Sequence, residues 1–278
     1  MQKTLMLFVV LFLTINASFA QRKTSDPKHE NHYEVKAIVN EDYAIEFVDA
    51  QSQQEFSLVK ITITNKTADY LYFKGTDSKF IYDFGSFSPT GGLLNRIDFF
   101  IKPNDHETKT LKVTGGKNFH VDKLKLDLNC LYKIAINGKK LKVQDFQLPA
   151  SKNTFNAEDF HCSLEKSKQT TKETVAEFKC TYTGKDIGLV NSSQLSVKLK
   201  DGQEFANNGS KDKIEILRPN DDCKFYAVFN IPGKIADMQF TVLNINWNNT
   251  FGESAMKPLK VSISDLTLDE GLTLLKNK

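Results

Sequence analysis

From Tyr33 onward the apolar residues of this chain recur at every second position. Val59, Ile61 and Ile63 alternate with Lys60, Thr62 and Thr64. Leu111 and Val113 alternate with Lys112 and Thr114, and Leu124, Leu126 and Leu128 alternate with Lys125 and Asp127. Successive side chains of a strand point to opposite faces, so this alternation predicts antiparallel strands with one dry and one wet face. Turn residues punctuate the pattern at Asn65-Lys66, Thr90-Gly91-Gly92, Thr114-Gly115-Gly116, Asn137-Gly138, Thr183-Gly184, Asp201-Gly202, Asn208-Gly209 and Pro232-Gly233. Each supplies residues that tolerate positive φ or end a ladder. Short strands at this spacing, with few helical stretches between them, predict an all-β chain of antiparallel β-sandwiches.

The pattern occurs twice. Ile101-Lys102-Pro103-Asn104-Asp105 returns as Leu217-Arg218-Pro219-Asn220-Asp221, and Leu58 to Phe73 overlays Val175 to Val190 at an offset of 117. Further on, Val121 to Leu128 is laid on Ile235 to Val242, pairing Leu124 with Met238 and Leu126 with Phe240. Two tandem domains are therefore expected, module 1 over residues 33–150 and module 2 over 154–264, with Leu148 to Asn153 as linker. Residues 21–32 are polar and carry no apolar period, which predicts a flexible leader. Residues 265–278 form a C-terminal tail, read as a short amphipathic helix or a last strand. The succession of strand, Asn-Lys-Thr turn, aromatic strand, Pro-Asn-Asp corner and paired final strands resembles tandem immunoglobulin-like sandwich modules of secreted and cell-envelope proteins. That resemblance implies adhesion or scaffolding rather than catalysis. The antibody hallmark is absent, because Trp247 does not lie between two cysteines.

The start of the chain predicts a location outside the cytoplasm. Met1-Gln2-Lys3, the apolar run Leu5 to Leu13 and Ala17-Ser18-Phe19-Ala20 are the three parts of a secretory signal peptide over residues 1–20. The apolar run is about half the roughly 20 residues that span a bilayer, so no membrane span is expected. The expected location is secreted, periplasmic or extracellular. A formal charge of +3 with interspersed signs argues against a nucleic-acid partner. An oxidising compartment lets Cys130, Cys162, Cys180 and Cys223 form disulfides. The offset of 117 puts Cys162 on Ile45 and Cys180 on Ile63, astride a turn near residues 168–172, so a cross-strand Cys162–Cys180 bridge is expected. Cys180–Cys223 is the rival pairing.

Catalytic patterns are missing: no nucleophile elbow, phosphate-cradling glycine loop or HExxH is present. The chain is read as no enzyme, with no cofactor. His29 and His32 lie in the leader with nothing to hold them, and His106 faces Asp222 in the overlay. Pro-Asn-Asp reads as a tight turn. A calcium site at Asp221 and Asp222 is the alternative metal reading, although they supply two of the six or more oxygens needed. Among the aromatics of module 1, Tyr82, Phe84 and Phe87 fall where the strand pattern dissolves into Gly, Ser and Pro. Loop aromatics there can form a platform for a protein or glycan partner at the cell envelope. The function expected is a non-enzymatic binding or scaffold role. The alternatives are a carbohydrate-binding accessory or hydrolase using module 1 loops, and an assembly subunit that pairs through strand edges.

Overall fold

The computed structural model describes residues 26–91, 96–209 and 214–278; the signal segment and the start of the leader lie outside these. The described chain is nearly all antiparallel β, with one short helix, Glu270–Lys276. Two large hydrophobic cores are separate. One gathers residues from Tyr33 to Leu131 together with Val261 and Leu266. The other runs from Leu141 to Phe251. A small third cluster, Tyr72, Ile134, Ile187 and Leu189, joins them.

The two modules are built strand for strand alike. Tyr43–Ser52 pairs with Phe56–Asn65, as Phe160–Gln169 pairs with Glu173–Tyr182. Each pair carries a bulge at the same place, between Phe47 and Asp49 and between Leu164 and Lys166. His106–Thr114 and Asp222–Asn230 flank them. Tyr70–Lys74 and Ile187–Val190 follow, each leading into a short 3-10 turn. The buried faces are the alternating residues read from the sequence, Val59, Ile61 and Ile63 against Ala176, Phe178 and Cys180.

Other expectations are corrected. Residues 148–153 are not a linker, since Leu148 is buried in the second core and Phe146–Leu148 pairs with Leu243–Asn246. The chain leaves module 1 earlier, between Ile134 and Lys139, because Lys139–Lys140 already pairs with Phe251–Ser254. Nor does module 2 extend to 264 with a separate tail behind it. Met256–Leu259 pairs with Leu131–Ile134, and Ser264–Leu268 pairs with Lys123–Asp127 and Asn31–Glu34, all of module 1. Module 1 is thus 31–134 plus 256–276, and module 2 is 139–254. The end of the leader is ordered too: Asn31 and His32 are buried in the strand Asn31–Glu34. Finally, residues 235–242 form turns rather than the counterpart of Lys123–Asp127. That counterpart is Leu243–Asn246, which holds the equivalent place beside Ser196–Lys198.

Candidate functional site

Three of the four cysteines occupy neighbouring strands of module 2, and Cys130 is buried in module 1. Cys162 lies opposite Cys180, and Cys180 lies opposite Cys223. The bridge joins Cys162 to Cys180, whose Cα atoms are 4.1 Å apart. That is the narrow, non-hydrogen-bonded kind of antiparallel pair, in which side chains approach most closely. Because a residue pairs narrowly with one neighbour and widely with the other, Cys180 and Cys223 form the wide pair. The rival pairing is corrected on that ground, and Cys223 is a buried free thiol. Burial pushes both free thiols, Cys130 and Cys223, up to about 12. They are therefore protonated and unreactive at neutral pH.

The Pro-Asn-Asp corners are turns in both modules. Asn104 and Asn220 adopt positive φ, 53° and 68°, and the following Asp amides bond back to Lys102 and Arg218. The Asp221 carboxylate accepts from the Arg218 backbone and guanidinium at 3.0 Å. Asp222 accepts from Thr181 at 2.6 Å and pairs with Lys179 at 2.9 Å. Both acids are thus engaged within the chain, and the calcium alternative loses its oxygens. The histidines form no common cluster: His29 Nδ1 meets His120 Nε2 at 2.8 Å, whereas His32 stands beside Glu30 and His106 beside Asp105. Among the described residues no three His, Cys, Asp or Glu side chains are placed to hold a metal.

The aromatic platform is smaller than its sequence suggests. Lys79–Tyr82 and Gly85–Phe87 form a hairpin whose turn carries Phe84. Phe84 lies over Tyr82 with ring centroids 4.9 Å apart and 16° between planes. Phe87 and Phe119 meet Tyr82 edge-on. Tyr82 and Phe119 are buried and Phe87 is half-buried, which leaves Phe84, 43% exposed, as the one ring facing solvent. Burial raises the Tyr82 hydroxyl above the ordinary tyrosine range, so it stays neutral. Phe119 was not legible as a member, because it arrives from a distant turn.

Module 2 carries a feature that no motif announces. A groove of about 680 Å³ runs beside Phe146–Leu148, floored by Phe146 and Ile245. Asp145, Gln147, Ser151, Lys152, Thr154 and Asn244 line it and make no side-chain hydrogen bond to the rest of the described chain. Phe146–Leu148 is the outer strand of its four-stranded sheet. The matching strand of module 1, Ser264–Leu268, is not an outer strand. Asn31–Glu34 zips onto its other side, Tyr33 opposite Leu268 and Glu34 opposite Thr267, and continues the sheet to nine strands. That pairing falls on Thr267 and Leu268, just past Ser264–Leu266, the residues whose register matches Phe146–Leu148, so module 1 extends its sheet beyond the point where module 2 ends its own.

Among the described residues, no helix is long and apolar enough to cross a membrane. No family model and no curated protein matches the chain. Among solved structures, AerE from Microcystis aeruginosa aligns over 86% of this chain and 99% of its own, with 9% identity and a TM-score of 0.11. Such a likeness carries no argument about fold or function.

Proposed function

We propose that this chain is a secreted, non-enzymatic binding and scaffold protein of the cell surface or periplasm, and that it takes an extended segment of a partner protein into the module 2 groove. The observation that carries this reading is the outer position of Phe146–Leu148 in its sheet, beside a groove lined largely by polar residues that make no side-chain hydrogen bond within the described chain. A sheet edge gives an incoming strand its backbone partners, and the lining side chains read the sequence it brings. The signal-like N-terminus and the Cys162–Cys180 bridge support an oxidising, non-cytoplasmic location. Layered antiparallel sheets around each core support the resemblance to immunoglobulin-like envelope modules. A second reading, a glycan partner stacked on Phe84, is favoured by the exposure of that ring.

The two readings separate experimentally. The full secreted chain would be panned against a displayed library of random peptides and, in parallel, against a glycan array. Thr154→Trp fills the groove, and Phe84→Ala removes the exposed ring. Peptide capture lost with Thr154→Trp and kept with Phe84→Ala is the expected result. Glycan capture lost only with Phe84→Ala would replace the groove by the aromatic site, and no capture by either probe would overturn the binding role.

A further inference from the structure

Each module is closed by strands whose place in the chain belongs to the other. After Leu131–Ile134 the chain reaches Asn137-Gly138, a pair that spells a tight hairpin. A hairpin there would fold Lys139–Lys140 back onto module 1. Instead the chain crosses over, and Lys139 lies opposite Glu253 of module 2. The crossing is close: a Cβ on Gly138 would stand 2.3 Å from the Glu253 carbonyl oxygen. After the equivalent strand, Phe251–Ser254, the chain crosses back through Ala255 and lays Met256–Leu259 on Leu131–Ile134. The two closing segments are themselves copies. Lys139-Lys140-Leu141-Lys142-Val143 matches Lys257-Pro258-Leu259-Lys260-Val261.

Module 1 thus hands its closing strands forward to module 2. Those that follow module 2 return to module 1, so the two modules close each other as a ring of two members. We propose that this ring opens, and that Met256 to Lys276 of one copy completes module 1 of a second copy. The partner is another copy of this chain, joined by strand donation in a head-to-tail contact. The contacts that seat the donor do not require it to come from the same chain. Val261 and Leu266 are buried in the module 1 core. The Tyr43 hydroxyl donates to the Lys260 carbonyl at 2.8 Å, and the Val261 amide donates to Asn129 Oδ1 at 3.0 Å. The Asp269 amide donates to the His32 carbonyl at 2.8 Å. What favours the closed ring is tethering, which for a short connection gives an effective concentration of order millimolar. Donation between copies therefore appears when chains fold close together, as at a crowded cell surface.

The pairing of Lys125 with Asp265 supplies the test. Full chains carrying Lys125→Cys alone and Asp265→Cys alone are mixed in denaturant, refolded at rising concentration and oxidised, and linked peptides are mapped by mass spectrometry. A chain carrying both substitutions reports the closed ring. The expected result is a link between positions 125 and 265 of different chains, at least fivefold more abundant at several hundred micromolar than at one micromolar. Absence of that link at every concentration, with the double variant fully linked within its own chain, would overturn the proposal. Failure of the double variant to link would overturn the strand pairing beneath it. Groove binding fails or stands separately, because Thr154→Trp lies outside the donor and its acceptor.

Discussion

Modules 1 and 2 solve the same structural problem with different chemistry. Near the open end of its long hairpin, module 1 sets Ile45 opposite Ile63, and module 2 sets Cys162 opposite Cys180. Where module 1 extends its sheet with Asn31–Glu34, module 2 ends its sheet at Phe146–Leu148. Both therefore keep the strands that enclose a core and differ in what fastens or occupies them. Shared positions report architecture, and differing positions are where binding and stability can be tuned separately.

The largest expected effect tests whether module 1 depends on the far end of the chain. Leu266 is 1% exposed within the first core, so Leu266→Ala should lose about 2–5 kcal/mol through transfer and cavity terms. Hydrogen exchange should show protection falling around Val59 to Ile63 and persisting around Ala176 to Cys180. Equal loss in both modules would mean that they unfold as one unit. Next in size is the bridge of module 2. It closes a loop with a sequence separation of 18, worth about 3 kcal/mol on a chain-entropy model. Cys162→Ala with Cys180→Ala should lower the melting temperature and make it insensitive to reductant. Cys162→Ile with Cys180→Ile, the solution module 1 uses, should recover part of the loss by filling the pair with apolar volume.

Much of this comparison was legible in the sequence because strand alternation and turn chemistry are local. Val59, Ile61 and Ile63 announced their own face. The offset of 117 carried that face onto Cys180, which is why the bridge could be read before any coordinates. Pairing between distant strands is not local, and there the reading failed. Asn137-Gly138 spells a hairpin, yet the competing partner, Phe251–Ser254, wins its strand. Residues 235–242 show the same limit. Their apolar spacing imitates a strand, but the Ile235 amide bonds back to Pro232 and the Phe240 amide to Asp237. Phe240 ends up 85% exposed. The groove was invisible for another reason: its lining comes from two distant segments, 144–154 and 244–245, that only the fold brings together.

Alkaline pH sharpens the comparison further. Burial raises Tyr33 of module 1 to about 12, where its hydroxyl donates to the Val121 carbonyl. Raised values for Cys130 and Cys223 stand one in each module. A group whose folded value exceeds its unfolded one stabilises fully below the unfolded value, and the contribution is lost as pH climbs through the folded value. Both modules should therefore weaken from about pH 9 as the thiols begin to favour the unfolded chain. Module 1 should weaken faster between pH 10 and 12, because burial raises Tyr33, Tyr43, Tyr72 and Tyr82 there against Tyr182 in module 2. Denaturant midpoints across that range, compared with Tyr33→Phe, would show it. Equal slopes in the variant and the parent would remove Tyr33 from the account.

The smallest effect belongs to what the modules share. Asn104 and Asn220 both sit at positive φ, a region where a Cβ meets the following carbonyl and costs roughly 1–2 kcal/mol. Asparagine relieves part of that strain through local hydrogen bonding, and glycine relieves it entirely. Asn104→Ala and Asn220→Ala should each destabilise by about 1 kcal/mol, each in its own module, and the glycine variants should be nearly neutral. Thermal melts of the four variants measure this directly. Equal penalties would mark the corner as an architectural device that duplication preserved. A much larger penalty at Asn220 would show instead that the corner gained a second role in module 2, where Arg218 and Asp221 brace it with an ion pair at 3.0 Å.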